Sequence, residues 1–213
     1  MADFDIKQQL PLIAILRAVT PNDVVRCASI LIDEGFTMIE VPLNSPEALR
    51  SIRLLVEHFG QSRLVGAGTV TTLAQAEAVI ATGARLVVTP NLNEGVIRAA
   101  TAAGCVCLPG VVTPSEAFTA LAAGASGLKL FPISQVGLDG FKALRSVLPA
   151  GTLCIPVGGI NPSVDSMKPY LQLGADGFGL GASLYRPDLD DQQLRINARA
   201  FVKSYFQALE ACK

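Results

Sequence analysis

The chain alternates two textures along its length, and this alternation constrains its fold more than any single motif. A short apolar or β-branched run is followed by an Ala-rich segment with helical spacing, often closed by glycine. The runs lie at 12–16, 37–41, 63–66, 86–88, 106–108, 127–130, 153–157 and 177–180. Helical spacing fills 21–34, 45–58, 71–81, 92–103, 114–123, 138–147 and 162–173, with a last segment over 190–210. Thr20-Pro21, Ser45-Pro46, Thr113-Pro114 and Asn161-Pro162 each place a capping side chain before a proline suited to a first helical turn. Gly35, Gly60, Gly83, Gly104, Gly124 and Gly174 supply stop signals. Strand–helix alternation repeated eight times argues for a parallel sheet. Units of roughly 27 residues consume the whole chain, so residues 1–213 are expected to form one domain. The expected fold is α/β, a single-domain (β/α)8 TIM barrel with a short N-terminal helix over 2–9 covering its bottom. An open doubly wound sheet is the alternative. The glycine-rich first turn that would favour it is replaced by Arg17-Ala18-Val19-Thr20.

Composition narrows the function. Half the residues are apolar and 16% are charged, the reverse of a disordered chain. Seventeen basic and 18 acidic residues give a net charge of −1. Such a balance provides no basic field for nucleic acid and no attraction to anionic membrane. The apolar runs are all far shorter than the roughly 18 residues a membrane span needs. Met1-Ala2-Asp3-Phe4-Asp5 lacks the basic region and long apolar stretch of a signal peptide, so a cytoplasmic protein is expected.

Cys27, Cys105, Cys107, Cys154 and Cys212 are odd in number and lack C-x-x-C spacing, which does not read as a disulfide framework. Cys105 and Cys107 could share a strand face. Without histidines or a second cysteine pair nearby, they read as small core residues and no metal site is expected. His58, the one histidine, precedes Gly60 near a helix end, where a cation suits the helix dipole.

In barrels of this kind the active site lies at the C-terminal ends of the strands. Three charged residues fall there: Arg17, Glu40 and Lys129. Lys129 sits in Gly127-Leu128-Lys129-Leu130-Phe131-Pro132. Enclosure by apolar neighbours disfavours an ammonium and lowers its pKa, which makes a neutral amine available to attack a ketone. The alternative is a strand-edge lysine with its head in water. Glu40 interrupts Met38-Ile39-Glu40-Val41-Pro42. A carboxylate near an amine can shuttle the protons that Schiff-base chemistry moves, or can simply pair with Lys129 or Arg17. Arg17 offers a planar fork for a carboxylate or phosphate, unless it is an ordinary surface arginine.

Two glycine-rich loops complete the pattern. Val157-Gly158-Gly159-Ile160-Asn161-Pro162 and Gly177-Phe178-Gly179-Leu180-Gly181-Ala182-Ser183 follow the seventh and eighth strand candidates. Loops at these positions commonly hold phosphate, because glycine lets backbone N–H groups approach an anion. Gly66-Ala67-Gly68-Thr69-Val70 brings backbone and a hydroxyl to the mouth after the third.

Together these residues resemble the 2-keto-3-deoxy-6-phosphogluconate/6-phosphogalactonate aldolase family from Leu10 to about Tyr185. The segments that carry the likeness are E-V-P-L-N-S-P (Glu40–Pro46), G-A-G-T-V (Gly66–Val70), V-T-P-N (Val88–Asn91), L-K-L-F-P (Leu128–Pro132) and V-G-G-I (Val157–Ile160). The resemblance implies a class I aldolase barrel that needs no metal or other cofactor and assembles as a homotrimer. It implies that Lys129 forms the Schiff base and Glu40 transfers protons. Arg17, Thr69, Pro90 and Val157 would bind substrate, and Gly158, Gly159, Gly181 and Ala182 its phosphate. L-P-L-I-A-I-L-R (Leu10–Arg17) and P-L-N-S-P resemble the galactonate branch. The gluconate branch tends to show arginine at the place of Asn44 and threonine at that of Val157. Several relatives have Gly-Ser in the last loop, where this chain has Gly181-Ala182 and Ser183 one place on. The expected substrate is a small phosphorylated keto acid, 2-dehydro-3-deoxy-6-phosphogalactonate, with the gluconate epimer as the alternative.

Overall fold

Along each strand the side chains alternate between two buried environments, and this parity organises the molecule. The computed structural model describes Ile6 and residues 9–213. Among these residues the strands are β1 (Leu12–Ile15), β2 (Met38–Pro42), β3 (Leu64–Gly68), β4 (Leu86–Val88), β5 (Val106–Leu108), β6 (Gly110–Val111), β7 (Leu128–Leu130), β8 (Cys154–Pro156) and β9 (Phe178–Leu180). The helices are α1 (Val24–Asp33), α2 (Ala48–Phe59), α3 (Leu73–Ile80), α4 (Glu94–Ala102), α5 (Pro114–Ala122), α6 (Ile133–Val147), α7 (Val164–Gln172) and α8 (Asp191–Glu210). Leu12, Ala14, Ile39, Val41, Leu128 and Leu130 join the helices in one large core. Ile13, Ile15, Met38, Leu64, Leu86, Val88, Leu108, Leu153, Ile155 and Val157 pack together in a second cluster that contains no residue of helices α1–α8. Strands buried on both faces must be apolar at every position, which explains the continuous runs in the sequence.

All strand pairings are parallel. They form a curled sheet in two parts, β5-β4-β3-β2-β1-β9 and β6-β7-β8. The expected eight-stranded ladder is therefore not continuous. Pro109 separates β5 from β6, and it has no N–H to donate to β4. On the other side, β8 and β9 meet through a single parallel bridge, Val157 with Gly179. Of the span 2–9 only Ile6 and Gln9 are described, so the short helix expected there lies outside the described residues. Ile6 itself is buried in the second, interior cluster.

The helix stops follow the glycines closely. Gly35, Gly83, Gly104, Gly124 and Gly174 have positive φ, while Gly60 stays right-handed. The starts follow less well. Thr113 caps α5 with Pro114 at its first turn and Glu116 completing a capping box. The other three expected caps are displaced because their side chains bond elsewhere. Thr20 donates to Asp23 Oδ2 at 2.7 Å, and α1 begins only at Val24. Ser45 accepts from Ala18 N, and α2 begins at Ala48. Asn161 accepts from Ser183 Oγ, and Ser163 caps α7 instead. The sixth helix starts earlier than its spacing suggests, at Ile133, with a break at Gly137 (φ 68°, ψ 179°). No described helix is long and apolar enough to cross a membrane.

Candidate active site

Strand parity brings the three charged residues together. Glu40 shares the interior face of β2 with Met38. Lys129 lies between Leu128 and Leu130, which both face the helices, so its side chain faces the interior beside Ile155, its register partner in β8. Arg17 continues the parity of Ile13 and Ile15 beyond the end of β1. Glu40 is 2% exposed and Lys129 6%, so both heads are held away from water.

Their charges are coupled. Burial pushes the Glu40 carboxyl up, and the positive charges of Lys129 and then Arg17 oppose that shift. Burial also pushes the Lys129 amine down, with Glu40 opposing and Arg17 assisting. Desolvation dominates both, because neither charged form can be hydrated at this depth. Glu40 Oε2 has no hydrogen-bond partner among the described residues. An orphaned buried acceptor costs on the order of 1–3 kcal/mol, more when charged, so this oxygen is kept free against a penalty. Lys129 Nζ stands 4.5 Å from the centroid of the Phe131 ring, within cation–π range.

The rim around this pair is strained. Ala18 and Thr69 adopt left-handed φ values of 64° and 57°. This conformation costs an L-residue roughly 1–2 kcal/mol and tends to persist where function requires it. The Thr69 hydroxyl, half-buried, has no hydrogen-bond partner among the described residues. Arg17 is exposed, and its Nη1 donates to Asn44 Oδ1 at 3.0 Å. Pro90, half-buried after β4, is fixed by the buried Thr89. The Thr89 hydroxyl donates to the Asn91 carbonyl and accepts from Gly110 N at 3.2 Å. A Cβ on Gly110 would lie 2.5 Å from the Pro90 carbonyl, so only glycine permits this approach.

The two glycine loops lie side by side. Val157 points into the interior cluster. Gly158 and Gly159 follow at φ 97° and 87°. A Cβ on Gly158 would sit 3.7 Å from the Phe131 ring, so Phe131 bridges the lysine and this loop. After β9, Leu184 N and Tyr185 N both donate to the Gly181 carbonyl, and Ala182 is exposed on that turn. Ser183 Oγ donates to Asn161 Oδ1 at 3.2 Å and ties the loops together.

Sequence reading singled out Lys129, Glu40, Arg17, Thr69, Pro90, Val157, Gly158, Gly159, Gly181 and Ala182. Glu40 and Lys129 lie within β2 and β7, and the others lie in the segments that follow strands. It read Ser45 only as a helix cap and Phe131 only as part of a motif, and it passed over the clearance role of Gly68. The period-2 pattern held the signal for Gly68: Gly66 and Gly68 occupy the face on which Leu64 points inward. His58 bonds its own helix through Leu54 O, and the cysteines are free thiols, four of them buried. Among the described residues no cluster of three or more His, Cys, Asp or Glu could hold a metal ion.

Comparison with known proteins gives the class. A family model described as KDPG and KHG aldolase matches residues 4–195. The chain is 43% identical over 202 residues to the 2-dehydro-3-deoxy-6-phosphogalactonate aldolase of Escherichia coli K12, covering 95% of this chain and 98% of that one. It is 46% identical over 195 residues to a probable 2-dehydro-3-deoxy-6-phosphogalactonate aldolase of Rhizobium meliloti, covering 92% and 91%. A solved structure described as native KDPGal superposes with a TM-score of 0.91 at 43% identity, covering 94% of this chain and 97% of that one. Fold and likeness together define an enzyme of the aldolase class, a carbon–carbon lyase. The chain belongs to the KDPG and KHG aldolase family.

Proposed function

We propose that this protein is a Schiff-base aldolase that cleaves 2-dehydro-3-deoxy-6-phospho-D-galactonate to pyruvate and D-glyceraldehyde 3-phosphate. The observation that carries the reading is a buried amine beside a buried carboxyl whose Oε2 has no partner. The names of two relatives above 40% identity support the substrate.

Neutral Lys129 Nζ attacks the C2 ketone to give a carbinolamine. Glu40 in its acid form, favoured by burial, protonates the departing hydroxyl, and water leaves to form the iminium. The Glu40 carboxylate then removes the C4 hydroxyl proton. The C3–C4 bond breaks, its electron pair flows into the iminium to form an enamine, and glyceraldehyde 3-phosphate leaves. Glu40 returns its proton to C3, and water hydrolyses the imine to pyruvate and free amine. Arg17, Thr69 and Pro90 orient the keto-acid part. Gly158, Gly159, Gly181 and Ala182 hold the phosphate through backbone N–H groups. Val157 presents an apolar surface where the C4 hydroxyl would pass. None of these steps draws on a metal or other cofactor.

We further propose a closed (β/α)8 barrel that forms a single domain over 1–213. The one-residue gap at Pro109 and the Val157–Gly179 bridge support closure. A cytoplasmic homotrimer fits this reading; exposed Leu73 at the start of α3, Val112 just before α5 and Phe118 in the middle of α5 offer apolar surface for association.

Borohydride with pyruvate should trap one adduct, mapped by peptide mass spectrometry to Lys129. Labelling at another lysine, or turnover without any trappable imine, would refute the mechanism. An assay of pyruvate release with both C4 epimers separates the galactonate reading from its gluconate alternative.

A further inference from the structure

We propose that Ser45 is a positioning residue for Arg17, acting through the strained backbone of Ala18. The inference rests on the aldolase reading above and names how one substrate-binding group of that site is held.

Arg17 reaches the mouth from the β1–α1 turn, and the next residue adopts a φ of 64°. Glycine enters that region freely and alanine does not, so something outside the turn must hold it. The Ala18 N–H donates to Ser45 Oγ at 2.9 Å, across 27 residues of sequence. Ser45 is 7% exposed, and its own N–H donates to the Pro42 carbonyl at 2.9 Å. On the other side of Arg17, the Leu16 N–H donates to the Glu40 carbonyl at 2.9 Å. Arg17 is therefore tied before and after to β2 and its following turn, and β2 also carries Glu40. Asn44, next to Ser45, holds the guanidinium itself at 3.0 Å.

A second observation shows that the serine is diverted to this task. Ser45-Pro46 reads as a helix start, yet α2 begins at Ala48. Its N-cap is Glu47, which makes no side-chain capping bond. The hydroxyl that would have capped the helix serves the Arg17 turn instead. Asn44 takes one N–H of a guanidinium that has five, so the others remain available to a substrate anion. The charge of Arg17 is also felt by both Glu40 and Lys129, so its placement matters to the whole site.

The test is steady-state kinetics on the full chain with the phosphorylated keto acid. Ser45→Ala should raise KM about fivefold to tenfold, the loss expected for one buried hydrogen bond, with kcat changed less than twofold. Ser45→Thr, which keeps the hydroxyl, should restore most of the loss. In an Arg17→Ala background, Ser45→Ala should add no further change in KM. An unchanged KM in Ser45→Ala, or the same added loss with Arg17 absent, would overturn the proposal and leave the aldolase reading intact. Wild-type protein that releases no pyruvate from either epimer would overturn both. Should Ser45→Ala fail to fold, Ser45→Cys keeps the volume with a weaker acceptor and carries the same test.

Discussion

Gly68 and Glu40 face each other so closely that a Cβ on the glycine would lie 1.3 Å from Glu40 Oε2. The carboxylate occupies the space where any other residue would carry a side chain. Gly68 keeps an ordinary backbone conformation, so clearance is what this position requires. Gly68→Ala should displace the carboxylate and lower kcat about 100-fold, the penalty for misplacing a reacting group by an ångström. Circular dichroism should show the fold retained. Unaltered kcat in a folded variant would mean that Glu40 takes no part in the chemistry.

The pair Glu40 and Lys129 makes a prediction about pH. Trapping of pyruvate by cyanoborohydride rises with pH as the amine loses its proton. Burial holds the Lys129 pKa below its ordinary 10.5, so the midpoint should fall below that value. The negative charge of Glu40 opposes this shift, so Glu40→Gln should move the midpoint further down. The positive charge of Arg17 assists it, so Arg17→Met should move the midpoint up. Glu40→Gln should also slow turnover about 10²–10⁴-fold while still permitting trapping. Midpoints that shift in the same direction for both variants would contradict the electrostatic arrangement.

Val157 lies among the interior residues at 6% exposure, next to Gly158. Valine cannot hydrogen-bond a substrate hydroxyl and threonine of similar shape can. Val157→Thr should therefore shift the kcat/KM ratio of the two C4 epimers toward the gluconate epimer by about tenfold, a shift within reach of one hydrogen bond. An unmoved ratio would place the discrimination elsewhere.

Acid stability should depend on a pair of ion contacts far from the site. Glu34 at the end of α1 accepts from Arg195 Nη1 and Arg199 Nε of α8, each at 2.7 Å. The hydrogen bond from Arg199 holds the Glu34 carboxyl below its ordinary 4.5, with burial opposing and Arg195 assisting. A carboxyl lowered by folding adds stability above its ordinary value, and that contribution fades as pH falls through the folded value. Both arginines are partly exposed, at 36% and 67%, which limits the effect to on the order of 1 kcal/mol. Glu34→Gln should lower Tm by about 2–4 °C at neutral pH. The difference between variant and wild type should shrink at acid pH, as the Glu34 carboxyl takes up its proton below its ordinary 4.5. An equal difference at both pH values would assign the loss to packing.

The alternation of textures made the strand and helix order legible, because strands buried on both faces must be apolar throughout. Glycine stops were legible for a similar reason, since a left-handed helix end selects that residue whatever surrounds it. The caps at Thr20, Ser45 and Asn161 were not, because a hydroxyl or amide beside a proline has several possible partners. Ser45 finds its partner on Ala18, in a different turn. The split at Pro109 was missed because it depends on which neighbour would have received the absent N–H.

The sequence by itself determined which groups could do chemistry: Lys129 and Glu40 each interrupt an apolar strand, and such residues are costly to bury without purpose. It also determined which face each would take, since parity along a strand is a local property. Tertiary structure alone decided that the two would share one dry interior and that Gly68 would yield its side-chain space to Glu40. It also decided that a serine in the second turn would hold an arginine in the first. These relations depend on register between strands far apart in the chain, and no local pattern of residues encodes register across such distances.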